Sequence, residues 1–106
     1  MSADRPIDAL RPLAPTPELE SVARRCVWFL EPSAALARPA HFIAHVLTYG
    51  MPEDVATLRR HVSSDVLSAA LDQAPPGAFD GRSWAYWHLK LKGRRQPPPL
   101  PERRLP

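Results

Sequence analysis

Fourteen prolines in 106 residues constrain this chain more than any other feature, because each one fixes its own φ and removes a backbone donor. The prolines fall where short helices would begin or end. Thr16-Pro17-Glu18 reads as a helix start, with a hydroxyl to cap, proline at the first position and acid beside the positive end of the dipole. Leu19, Val22, Ala23, Cys26, Val27 and Leu30 follow at helical spacing, and Pro32 is expected to close that segment. Arg38-Pro39 opens the next, with Phe42, Ile43, Val46, Leu47 and Tyr49 on its inner side, and Gly50 stops it.

A third helix carries Met51, Val55, Leu58 and Val62, with Glu53 and Asp54 in its first turn and Arg59, Arg60 and His61 in its last. Ser63 or Ser64 can cap a fourth, running through Val66, Leu67, Ala70 and Leu71 until Ala74-Pro75-Pro76-Gly77 forbids continuation. Asp80 then caps a final aromatic helix. On it Trp84, Trp87, His88 and Leu91 share one face, whereas Arg82, Tyr86 and Lys90 project from the other. The expectation is an all-α bundle of four to five short helices, spanning residues 16–92. Residues 1–15 are expected to form a flexible arm, and residues 93–106 a mobile basic tail favouring polyproline II.

Charge is unevenly placed: from residue 82 onward seven cations face the single acid Glu102. Such asymmetry suits an acidic partner, a nucleic acid met through the basic C-terminal region, or simple solubility. A lone cysteine excludes an intramolecular disulfide and fits a reducing cytoplasm. Charge and proline in the first six residues oppose a signal peptide, and no segment has the length of a membrane span.

Chemistry finds little support. His41 and His45, at i and i+4, could offer two imidazoles to a metal, but no glutamate lies between them and no third ligand is nominated. Ser63, Ser64, Ser68 and Ser83 are explained by caps or solvent faces. Gly50, Gly77, Gly81 and Gly93 lie too far apart for a phosphate-binding loop. Neither an enzyme nor a cofactor is expected. Helix, Gly50, helix invites a DNA-reading helix-turn-helix with Arg59-Arg60 at phosphate. His45 and Arg59, however, occupy positions that are normally buried in that motif, so an αα-hairpin is preferred. The tail also satisfies the PxxP spacing in both orientations, through Arg95, Pro98 and Pro101 and through Pro98, Pro101 and Arg103.

Three segments together resemble a family of small, uncharacterised prokaryotic helical proteins. They are Val27-Trp28-Phe29-Leu30-Glu31, His41 to Gly50 with its Val-Leu-x-Tyr-Gly ending, and Phe79 to Trp87, where Tyr86-Trp87 stands for the family's Phe-Trp. The likeness covers Val27 to Leu91 and departs at His45, where an arginine is usual. Family members are often encoded beside nucleotidyltransferase-like toxins of the abortive-infection class. The resemblance therefore implies a non-catalytic antitoxin or accessory role. The residues themselves suggest a partner surface on the outer face of the aromatic helix, made of Arg82, Tyr86 and Lys90 with Tyr49 approaching from its neighbour. A small basic nucleic-acid-binding regulator is the alternative.

Overall fold

A computed structural model describes residues 10–101, and among these every regular element is a helix. There are six: α1 (Pro17–Cys26), α2 (Pro32–Leu36), α3 (Pro39–Tyr49), α4 (Pro52–His61), α5 (Ser64–Asp72) and α6 (Gly81–Lys92). Four of them begin with proline at the first position, where the missing N–H has no intrahelical partner to lose. The residue before each proline is pushed out of the helical region, with ψ of 154° at Thr16, 144° at Glu31, 76° at Arg38 and 164° at Met51.

That rule corrects the reading of Pro32. The first helix does not run to Leu30 but ends at Cys26, and Pro32 starts the short helix α2 rather than stopping a longer one. A helix continuing through residue 32 would set the proline ring against the carbonyl of residue 28. The chain instead turns at residues 27–30, with Leu30 N–H donating to the Val27 carbonyl at 3.1 Å.

Side-chain caps fix the other boundaries. Thr16 Oγ1 accepts from Leu19 N–H, Ser63 Oγ from Val66 N–H and Asp80 Oδ1 from Ser83 N–H, at 3.2, 3.2 and 2.7 Å. At Gly50 the glycine serves space and not backbone hand, since its φ is −71°. A Cβ there would lie 2.6 Å from the Val46 carbonyl oxygen. Gly93 is the opposite case, left-handed at φ 68°, with Gly93 N–H returning to the Leu89 carbonyl and Arg94 N–H to that of His88.

The core is built around α3, which touches each of the other five helices. Phe42, Ile43, Ala44, Val46 and Leu47 are all buried, a near-continuous run that suits a helix covered on most sides. Leu19, Val22 and Ala23 of α1, Leu58 of α4, Leu67 and Leu71 of α5, and Trp84 and Trp87 of α6 close over it. Trp87 also donates Nε1–H to the Leu47 carbonyl at 3.0 Å, which joins α6 to α3.

Burial corrects two expectations about stripes. Tyr49 and Met51 are exposed. Asp54 is buried. Its carboxylate ties α4 to α1 by accepting from Arg25 Nε at 2.9 Å, and also receives the Met51 N–H at 3.1 Å.

The segments expected to be loose arms are attached where they are described. Leu10 and Leu13 lie against the core, and Leu13 N–H donates to the Leu36 carbonyl at 2.9 Å. Past α6, Trp84 Nε1–H donates to the Pro98 carbonyl at 2.7 Å, and Leu100 reaches the core. Residues 1–9 and 102–106 of those two segments lie outside the described part.

Candidate functional site

Two helices that α3 touches, α4 and α6, leave a groove of about 580 Å³ between them. Leu47 of α3 and the Trp87 ring form part of its lining, with Gly50 and Pro52 at the α3–α4 turn. One wall is α4, through Val55, Ala56 and Arg59. The other is α6, through Arg82, Ser83, Tyr86 and Lys90. Helical spacing explains both walls: Val55 and Arg59 lie four residues apart, as do Arg82 and Tyr86, and Tyr86 and Lys90.

Electrostatics in the groove are one-sided. Arg59, Arg82 and Lys90 line it and no aspartate or glutamate does. Among the described residues none of the three makes an ion pair, whereas Arg25, Arg60 and Lys92 elsewhere are matched to Asp54, Glu18 and Asp72. The Tyr86 ring is half exposed and meets Trp87 edge-on at 4.9 Å between centroids. The result is an apolar floor with an aromatic wall and three unmatched cations.

Arg82, Tyr86 and Lys90 thus come together as their spacing predicts. Tyr49 does not join them. It is not among the groove's lining residues, and its ring stands 5.7 Å from that of His45. Sequence reasoning missed Val55 and Arg59 as wall residues. Their i, i+4 spacing was visible, but which helix would face α6 was not.

Tyr49 belongs to a second surface, a row of rings on α3 and the turn before α2. Trp28 meets Phe29 at 5.5 Å, Phe29 meets His45 at 5.5 Å, and His45 lies 4.2 Å from His41. His45 Nδ1–H donates to the His41 carbonyl at 2.9 Å, which orients the ring along its own helix. Burial, with His45 and Arg38 nearby, pushes the His41 imidazole down to about 4. Among the described residues no group of three or more histidine, cysteine, aspartate or glutamate side chains is placed to hold a metal ion.

Cys26 is buried, and desolvation with the Asp54 charge beside it pushes the thiol up to about 11. It is an unreactive core thiol at neutral pH. His88 is buried with neither ring nitrogen hydrogen-bonded, and that burial lowers its pKa. Among the described residues, no helix is long and apolar enough to cross a membrane. Compared with protein-family models, with curated proteins and with solved structures, the chain finds no match.

Proposed function

We propose that this chain is a non-catalytic protein-binding domain that holds an acidic, partly apolar segment of a partner protein in the α4–α6 groove. The observation that carries this reading is the juxtaposition of three cations, unmatched among the described residues, with an exposed tyrosine over an apolar floor. Arginine and aromatic side chains are enriched at interfaces, and a groove between helices suits an amphipathic helix or an extended acidic strand. Cations that find no acid among the described residues gain most from a partner that supplies one.

The sequence resemblance supplies the partner class, a nucleotidyltransferase-like toxin that this domain would occupy and restrain. Both proteins would then act in the cytoplasm, where a lone buried thiol needs no oxidising partner. Arg82, Tyr86 and Lys90 are the contacts, with Arg59 added from the facing helix.

The test is co-expression with the protein encoded beside this gene, comparing the wild-type chain with Arg82→Glu/Lys90→Glu. The reading requires the wild type to co-purify with its neighbour and the variant, melting normally, to lose it. Equal recovery with both would remove the groove from the interface. The salt response separates this reading from the nucleic-acid alternative. A phosphate-driven complex loses affinity steeply with each released counterion, whereas an aromatic-anchored protein interface weakens modestly.

A further inference from the structure

The proline-rich segment after α6 is held on the helical domain by a set of bonds independent of the groove. The Trp84 indole donates to the Pro98 carbonyl at 2.7 Å, and the Gly77 amide donates to the Pro101 carbonyl at 3.2 Å. Leu100, between them, lies against the core. The two accepting carbonyls are three residues apart, the spacing at which a polyproline II helix returns carbonyls to one side. Prolines 97, 98, 99 and 101 have no N–H, so apart from the Leu100 amide this backbone offers only carbonyls for hydrogen bonding. The domain meets them with two N–H donors.

The donors are themselves fixed. Trp84 is buried between Phe79, at 5.3 Å, and His88, at 4.2 Å, which leaves its indole N–H as the polar edge of an apolar wall. Gly77 adopts φ 82°, the left-handed region open to glycine, in a loop where Ala78 N–H donates to the Pro75 carbonyl at 3.1 Å. A tryptophan N–H beside an aromatic-lined surface is the chemistry by which proline-rich ligands are recognised, since their stiff backbone loses little entropy on docking.

We infer that the face formed by Trp84 and Gly77 is a binding site for a polyproline II segment, and that residues 97–101 of this chain are its resident, reversibly seated ligand. Two hydrogen bonds and one partly buried leucine hold the segment, and the turn at Gly93 is its hinge. Trp84 does not line the α4–α6 groove, so this site stands or falls separately from the function proposed above.

The experiment uses the full-length protein, labelled with ¹⁵N, and follows the Trp84 indole and Gly77 amide resonances. Leu100→Asp places a charge against the core at the edge of the seat and is expected to shift both resonances as the segment lifts, with the helical circular dichroism unchanged. A peptide of residues 94–101 is then added at about 1 mM, comparable to the effective concentration that a short tether supplies. It should return both resonances to their wild-type positions in a saturable manner. Trp84→Phe, which keeps the ring but not the donor, should speed exchange at the Gly77 amide. The inference is overturned if Leu100→Asp leaves the two resonances in place, if the peptide fails to restore them, or if Trp84→Phe leaves Gly77 exchange as it was.

Discussion

Arg25 on α1 and Asp54 on α4 hold the two helices together through a hydrogen bond of 2.9 Å, although the carboxylate is buried and the arginine side chain is largely open to solvent. Burial alone would raise the Asp54 carboxyl, but the bonds from Arg25 and the Met51 amide outweigh it and hold the group below the usual carboxylate range. The charge is therefore retained in the core because its partner reaches it from outside.

Removing that partner is expected to cost about 1–2 kcal/mol in Arg25→Ala. This lies below the range for a fully buried pair because water can approach Asp54 once the arginine is gone. Asp54→Asn keeps an acceptor for the Met51 amide, whereas Asp54→Ala loses both contacts, so the alanine variant should be the less stable of the two. Urea unfolding of the three variants checks the order; equal midpoints for asparagine and alanine would mean that the Met51 bond contributes nothing.

The Trp87 side chain fills the junction of α6 and α3 and donates to the Leu47 carbonyl. Trp87→Ala should cost about 3–5 kcal/mol, enough to leave a domain of this size mostly unfolded. Trp87→Phe should cost less, since it keeps most of the ring and forfeits one hydrogen bond. A thermal melt followed by circular dichroism separates the two, and an unchanged midpoint in the alanine variant would contradict the packing described.

Stability should fall with acid before most carboxylates titrate. His41 is depressed from its ordinary value of 6.5 to about 4, and His88 is depressed in the same direction, both mainly by burial. Between the unfolded and folded values the unfolded chain binds more protons, so the contribution is complete above about 6.5 and is lost as pH drops toward 4. The midpoint temperature should decline from pH 7 to pH 4.5, and His41→Gln should flatten that slope. A midpoint independent of pH over this range would show that neither histidine is held neutral by the fold.

The helix boundaries set by Thr16, Pro39, Ser63 and Asp80 were legible because capping and helix-start signals are local chemistry, decided within three or four residues. Pro32 was misread because a proline marks a stop and a start equally well, and only the position of the next helix decides. Attachment of Leu13 to Leu36, or of Pro98 to Trp84, was invisible, since each joins distant segments through a backbone carbonyl that no side-chain pattern announces. The α6 wall of the groove could be read from spacing, but its α4 wall depended on how two helices lie across α3. Burial of Asp54 carried one faint signal: an acid three residues into a helix that has no side-chain cap of its own.

Photocrosslinking tests the proposed interface most directly. A photoreactive phenylalanine analogue placed at Tyr86 or at Tyr49 samples two exposed rings, one lining the α4–α6 groove and one beside His45 on the other aromatic surface. With the neighbouring-gene protein present, position 86 should give a covalent adduct that disappears when Arg82→Glu and Lys90→Glu are added, and position 49 little or none. An adduct from position 49 with none from position 86 would contradict it and move the interface to the aromatic row.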